Sequence, residues 1–199
     1  GTCHTCPENA TCTATNFTCN EGYSLVEGEC LKNCTENSEC AVNEFCNVTV
    51  DSQCKTVISG TCQTLGSANL TTFNGHSFAV SARALNEFAA EKWCAKHDGH
   101  IASLSDLGLY PSQWDWWADK NYSCGIYSLK DECPEVNWNA FYAAFNPSRE
   151  NSMSLWTTDL IADTNTNCHT QIVKLFTNGA GIGYENRASA NANYALCIQ

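Results

Sequence analysis

Cysteines are the residues of this chain with the most evident chemical potential. The 199 residues include fifteen cysteines, ten of them among the first 62 residues. Thiolates are zinc ligands and nucleophiles, but zinc sites usually show close Cys-x-x-Cys pairs in duplicate, and only Cys3 and Cys6 are that close. Their number and spacing therefore predict a disulfide framework in an oxidising, extracytoplasmic compartment, with no metal and no other cofactor.

The turn from His97 to His100 is the most enzyme-like group in the sequence. Metalloproteases hold zinc with two imidazoles on one helical face, whereas these two are three residues apart across Gly99. The sequence shows no nucleophile beside a base and no convincing carboxylate pair, and the alternating glycines Gly179, Gly181 and Gly183 are interpreted as a hairpin bend rather than a phosphate loop. We therefore predict that the protein is not an enzyme.

Asparagines with a few aromatic and charged residues characterise the C-terminal third and favour ligand binding. Short polar side chains around rigid aromatic anchors are the chemistry of a paratope. The residues assigned to ligand binding are Asn137, Trp138, Asn139, Trp156, Asn165, Asn167, His169, Asn178, Tyr184, Glu185, Asn186, Arg187, Asn191, Asn193 and Tyr194. We expect Tyr184, Arg187 and Tyr194 to contribute most, because aromatic and arginine side chains dominate interface energies. An ordinary hydrophilic loop surface is the alternative interpretation.

Residues 84–104 are predicted to organise the larger part of the chain. Leu85, Phe88 and Trp93 recur at helical spacing, and Gly99 is expected to end the helix in the left-handed conformation before a short buried strand. The intervening polar residues are assigned to the solvent face: Asn86, Glu87, Glu91, Lys92 and Lys96. The pattern is thus helix, turn, strand.

Other segments complete the expected secondary structure. Residues 194–198 indicate a strand with Tyr194, Leu196 and Ile198 on one face and Cys197 on the other, and residues 172–176 indicate another. Ser105-Asp106 is interpreted as the cap of a second helix that leads towards the tryptophans at 114–117. Asn137 is expected to begin a loop-rich part.

These patterns together resemble a bacterial C-type-lectin-like domain. The resemblance rests on the helix ending in WCAKHDGHIASL, on the Trp156-Thr157 step and on the ending NYALC. It implies an α+β domain over residues 61–199 and a disulfide between Cys94 and Cys197. The calcium- and sugar-binding tripeptides of animal lectins are absent, so binding without calcium is expected. In similar bacterial and phage proteins, diversity-generating retroelements vary the C-terminal region at Asn-type codons.

The first 60 residues are expected to form a cysteine-rich stalk of little regular structure. Residues 3–30 resemble an EGF-like repeat, whose second half is matched from Phe17 to Cys30. We expect a disulfide between Cys19 and Cys30, and Cys3, Cys6 and Cys12 stay unassigned. A solvated spacer is the main interpretation of this region, and receptor binding is the alternative.

The odd cysteine count requires a thiol without an intrachain partner. Cys124 and Cys133 are close enough in sequence to pair locally, and ten stalk cysteines can satisfy one another, which leaves Cys168. The rival interpretation pairs Cys168 with Cys62 and leaves the odd thiol in the stalk.

The formal net charge of -11 excludes classes of partner. Ten basic residues cannot neutralise a nucleic-acid backbone, and the charge disfavours adhesion to anionic lipid. We expect a secreted or surface-displayed adhesin or receptor for a protein or glycan on another cell or surface. Two points are left open: whether a membrane or pilus tether precedes Gly1, and which oligomeric state the chain adopts. The alternative is a structural minor subunit of a pilus or surface fibre.

Overall fold

The computed structural model describes residues 6–109, 127–128, 133–146, 153–160, 168–175, 180–189 and 193–199. These residues form mostly β-structure with two α-helices, and six disulfides join them. The protein therefore has a disulfide-rich α+β fold.

Two small hairpins form the N-terminal part. Strand β1 (Ala10–Cys12) pairs with β2 (Phe17–Cys19), and β3 (Tyr23–Val26) pairs with β4 (Glu29–Lys32). Disulfides join Cys6 to Cys12 and Cys19 to Cys30, so the predicted Cys19–Cys30 pair is confirmed. Cys30 is the single buried residue in the described segment 6–33, and the disulfides thus replace a core there.

The second cysteine block is more regular than expected. A 3-10 turn (Asn37–Glu39) precedes the hairpin of β5 (Glu44–Val50) and β6 (Val57–Thr64), which Cys34–Cys46 and Cys40–Cys62 support. Phe45, Val48 and Val50 are buried. Strand β6 runs across the predicted domain boundary at residues 60 and 61, so the hairpin is continuous with the larger part of the chain.

A mixed sheet forms the larger part. Its order is β10 (Tyr127–Ser128), β13 (Ala180–Asn186), β12 (His169–Leu175), β11 (Met153–Leu160), β14 (Asn193–Ile198), β8 (His76–Leu85) and β7 (Ala68–Phe73), with β9 (His100–Ile101) paired to β14. Strand β14 runs antiparallel to β8 and parallel to β11. Its predicted alternation is confirmed, because Tyr194, Leu196 and Ile198 pack on one apolar cluster and Cys197 on another.

Helix α1 (Glu87–Lys96) packs Ala89, Trp93 and Cys94 into the second of these clusters. The helix begins later than predicted, because Leu85 pairs with Asn193 and is held in β8. Asn86 caps the helix by accepting a hydrogen bond from the backbone N–H of Ala89. The assignment of Asn86 and Glu87 to the solvent face is wrong, since their exposed fractions are 3% and 1%.

The turn after α1 also differs from its prediction. The left-handed residue is Asp98, with φ 56°, and not Gly99. Gly99 is required for another reason, because a Cβ there would lie 2.4 Å from the carbonyl oxygen of Ile198. Residues 104–108 form a turn where a helix was predicted, and Asp106 accepts hydrogen bonds from the N–H and hydroxyl of Ser103. The predicted tryptophan cluster at 114–117 lies outside the described residues.

Helix α2 (Trp138–Phe145) occupies a segment predicted to be loop-rich. Asn137 caps it by accepting from the backbone N–H of Ala140. The ring of Phe141 lies 5.1 Å from that of Phe73 in an edge-to-face contact, and Phe145 contacts Phe73 and Phe78 in the same way. The predicted bend at Gly181 and Gly183 is likewise wrong, because both lie within β13.

Candidate ligand-binding surface

Several predicted binding residues meet at the end of the sheet where β12 begins and β13 ends. His169 is paired with Asn186, and Thr170 with Glu185, in the antiparallel ladder of these strands. Glu185 and Asn186 are partly exposed. For His169 and Tyr184 the structure gives the backbone position only, and Asn165 and Asn167 lie outside the described residues. We call the end formed by His169, Glu185 and Asn186 the β12–β13 end.

Arg187 fastens the β12–β13 end to helix α1. Its Nε donates to Oε2 of Glu87 at 2.5 Å, and its Nη2 donates to Oε1 of Glu91 at 3.3 Å. The guanidinium lies 4.5 Å from the ring centroid of Phe88, and the backbone N–H of Glu87 donates to the carbonyl oxygen of Arg187. These contacts give Arg187 a structural role between the two elements, and its role as a ligand-binding anchor stays a prediction.

The electrostatics of this contact are governed by burial. Removing the carboxyl of Glu87 from water raises its pKa to about 7, although the positive charge of Arg187 acts in the opposite direction. Burial likewise raises the pKa of the Glu91 carboxyl, against the attraction of Arg187 and Lys92. Between pH 4.5 and about 7, the carboxyl of Glu87 therefore keeps a proton that an exposed glutamate would lose.

The same end is also attached to the second cysteine block. Cys168, immediately before β12, forms a disulfide with Cys54, and the carbonyl oxygen of Cys168 accepts from the backbone N–H of Arg187. Asn186 orders the turn by accepting from the N–H of Ala188. The prediction that Cys168 is the odd cysteine is therefore wrong. The rival pairing with Cys62 is wrong as well, because Cys62 bonds to Cys40.

Two of the predicted binding residues belong to the core. Trp156 has no exposed surface, and its indole N–H donates to the carbonyl oxygen of Leu85 at 2.7 Å. Asn193 is also fully buried, and neither its amide nitrogen nor its amide oxygen has a hydrogen-bond partner. We remove both from the candidate binding set, because neither side chain reaches the surface. Tyr194 is partly buried against the core.

The other predicted binding residues lie at helix α2 or outside the described residues. Asn137 is engaged as the cap of α2, the indole N–H of Trp138 donates to the carbonyl oxygen of Cys133, and Asn139 is exposed on the same helix. Asn178 and Asn191 lie outside the described residues.

Three of the described cysteines lie close together in space. The sulfur atoms of Cys34, Cys40 and Cys62 lie within 4.8 Å of one another, but all three are engaged in disulfides and have no thiolate to offer. The expected Cys94–Cys197 disulfide is present and joins α1 to β14. Cys133 is buried, whereas its predicted partner Cys124 lies outside the described residues.

The two histidines of the enzyme-like turn have different surroundings. The ring of His97 packs 4.1 Å from that of Trp93, where burial lowers its pKa and leaves Nε2 without a hydrogen-bond partner. His100 is exposed on β9. Sequence reasoning missed the supporting residues Glu87 and Cys54, because their partners Arg187 and Cys168 are at least a hundred residues away in the chain.

The chain matches no protein-family model and no curated protein sequence. Neither described helix is long and apolar enough to cross a bilayer. The six disulfides fit an oxidising environment such as that of a secreted or extracellular protein.

Proposed function

We propose that this chain is an exported ligand-binding protein, in which a C-type-lectin-like domain recognises a protein or glycan without calcium. The observation that carries the proposal is the double attachment of the β12–β13 end. The Cys54–Cys168 disulfide holds the residue that precedes β12, and the ion pair of Arg187 with Glu87 holds the residue that follows β13. Rigid support of polar residues lowers the entropic cost of binding.

The connectivity of the larger part supports the lectin-like assignment. The disulfide Cys94–Cys197 joins helix α1 to β14, the last strand of the larger part. Strand β14 lies antiparallel beside β8. The disulfide agrees with what the resemblance implies. The disulfide and the strand pairing bring the two ends of the domain together and leave the strands β12 and β13 to carry the polar residues.

Calcium independence rests on the few acidic residues between Trp156 and Tyr194 in the sequence. A calcium site takes six or more oxygen ligands, and the acidic candidates in this part of the sequence are Asp159, Asp163 and Glu185. Binding should therefore survive chelation with EDTA. A large loss of binding that calcium restores would contradict this part of the proposal.

The proposal is tested with a glycan and protein array probed with the full chain. The full chain is needed because Cys54 and Phe45 lie before the predicted domain boundary and yet join the larger part. For a ligand identified in this way, replacement of His169 and Glu185 by alanine should weaken binding. The loss of binding free energy should be about 2 kcal/mol for each residue that anchors the ligand.

The matched control replaces His100 and Glu135 by alanine, because both are exposed and lie away from these strands in the sequence. The control should bind the same ligand with unchanged affinity. Unchanged affinity of the His169/Glu185 variant, with its fold intact, would contradict the assignment of the site. An array without any ligand, together with assembly of the full chain into ordered fibres, would favour the structural-subunit alternative.

A further inference from the structure

A cleft lies in the N-terminal part, away from the strands discussed above. It has a volume of about 500 Å³ and opens between the segment before β1, the β3–β4 hairpin and the β5–β6 hairpin. Volumes from about 300 to 1,000 Å³ are typical of small-ligand pockets. Two disulfide-bonded cysteines, Cys30 and Cys62, belong to its wall. Disulfides therefore support two of its walls, the β3–β4 hairpin and the β5–β6 hairpin.

The charged groups of the cleft are predominantly acidic. Among the described residues that line it, Glu8, Glu29 and Glu44 face a single cationic side chain, that of Lys32. The ammonium of Lys32 is engaged elsewhere, since it donates to the carbonyl oxygen of Glu39 at 2.6 Å. In the described structure neither Glu8 nor Glu29 has an ion pair or a side-chain hydrogen bond. Within the described part of the chain, the carboxylates of the cleft therefore outnumber its cations, and those of Glu8 and Glu29 have no ion-pair partner.

The other walls are apolar or aromatic. Pro7 and Leu31 provide aliphatic surface, and the half-buried Tyr23 provides an aromatic ring. An aromatic face attracts a cation, and aliphatic walls suit methylene groups. A ligand that fits both features has a positive charge at the end of an alkyl chain. Anionic ligands are disfavoured by the three carboxylates.

We propose that this cleft binds a primary alkylammonium group, such as the side chain of a lysine presented by a partner protein. Glu8 and Glu29 supply the negative charge that attracts the ammonium, and Leu31 and Tyr23 supply apolar surface for the methylene groups. This site is distinct from the β12–β13 end. Its existence is therefore independent of the proposed lectin-like binding, and either can fail without the other.

The test is a nuclear magnetic resonance titration of the full chain with lysine blocked at its α-amino and α-carboxyl groups. We expect saturable shifts at the amides of Asn9, Tyr23 and Leu31, and weaker binding as salt is raised, because salt screens partly exposed charges. Blocked norleucine, which has similar methylene groups but no ammonium, should give no saturable shifts. Equal affinity for the two probes would overturn the proposal.

Variants with matched charge separate the cleft from general acidity. Replacing Glu8 and Glu29 by glutamine should weaken lysine binding by about tenfold or more, a loss of ~1.4 kcal/mol. Replacing Glu21 and Glu27 by glutamine removes the same charge from exposed positions that do not line the cleft, and should change the affinity by less than about twofold.

A third variant tests the sign of the electrostatic contribution. Replacement of Lys32 by glutamine removes the cationic side chain found among the described lining residues and should strengthen binding of the lysine probe. Absence of saturable shifts in the unmodified chain, or equal losses in the two double variants, would overturn the proposal. Because all the substitutions are on the surface of the small hairpins or at the cleft mouth, the dispersion of the spectrum reports directly whether each variant has folded.

Discussion

Residues 6–33 and residues 34–62 are similarly rich in cysteine, yet they are stabilised in different ways. In the first region both disulfides close short loops, and Cys30 is its single buried residue among those described. In the second region Phe45 has no exposed surface and packs with Trp93 of helix α1, and Cys54 is bonded to Cys168. The second region is therefore part of the larger folded unit.

The difference shows what a high cysteine density indicates and what it does not. Cysteine density indicates an oxidising compartment and a need for covalent support. Whether a segment is an independent spacer depends on its apolar residues, because these decide whether it shares a core. The buried apolar residues Phe45, Val48 and Val50 within strand β5 distinguish the second region from the first.

The largest expected effect concerns the two kinds of disulfide. Replacing Cys54 and Cys168 by serine opens a loop with a sequence separation of 114, and the free energy of unfolding should fall by about 4–5 kcal/mol in the chain-entropy model. Replacing Cys6 and Cys12 by serine opens a loop with a sequence separation of 6, and the free energy of unfolding should fall by about 2 kcal/mol. Urea unfolding under non-reducing conditions measures both. Equal losses would contradict the distinction between the two regions.

The next effect concerns the buried aromatic residue of the second region. Phe45→Ala removes a fully buried ring and should lower the free energy of unfolding by about 3–5 kcal/mol. Phe17→Ala removes a partly exposed ring from β2 and should cost about 1 kcal/mol. The same urea series compares them, and a small loss for Phe45→Ala would show that the second region does not share the core.

A third prediction concerns pH and the N-terminus of α1, where the larger unit joins its distant strands. The pKa of Glu87 is raised in the folded protein to about 7, so the folded state binds a proton more tightly than the unfolded state. The contribution of Glu87 to stability is therefore most favourable below pH ~4.5 and declines as the pH rises to about 7.

Glu87→Gln removes this proton linkage. Its free energy of unfolding, relative to that of the unmodified chain, should increase between pH ~4.5 and about 7, by an amount on the order of 3 kcal/mol. Glu91→Gln is the control, because Glu91 is about half exposed and water screens its charge. A difference between Glu87→Gln and the unmodified chain that is constant with pH would contradict the assignment.

The smallest effect concerns a surface contact between the second region and α1. Lys92 forms an ion pair with Glu36, which is 70% exposed, so Lys92→Met should cost about 0.5 kcal/mol and less at high salt. Lys55→Met alters an exposed lysine that contacts Gln53 and should cost less still. Unfolding at two salt concentrations distinguishes the two variants, and a salt-independent loss for Lys92→Met would show that packing of its methylene groups dominates.

The sequence predicts the parts of the fold that depend on local periodicity. The faces of Tyr194, Leu196 and Ile198 are correct because strand alternation is a local property. Helix α2 could have been found in the same way, since Trp138, Phe141, Tyr142 and Phe145 recur at helical spacing after the capping residue Asn137. From the sequence we instead expect Asn137 to begin a loop-rich part.

The surroundings of the candidate site depend on partners that no local pattern reveals. Glu87 is a charged residue in the first turn of a helix, and its burial follows only from Arg187, a hundred residues later in the chain. The pairing of Cys54 with Cys168 likewise depends on the folded geometry. Spacing alone leaves many connectivities open for so many cysteines.

The position of β14 has a kinetic consequence. This strand lies between β8 and β11, and it also pairs with β9, so residues near 80, 100 and 155 all require residues 193–198 as their neighbour. Sequence-distant pairing of this kind slows folding, because loop closure must precede the contacts that compensate for it. During synthesis, we expect the hairpins of residues 6–33 to form early, whereas the main sheet waits until residue 198 has left the ribosome. Until then the main part of the chain stays unfolded, and an unfolded chain can pass through a protein-translocation channel.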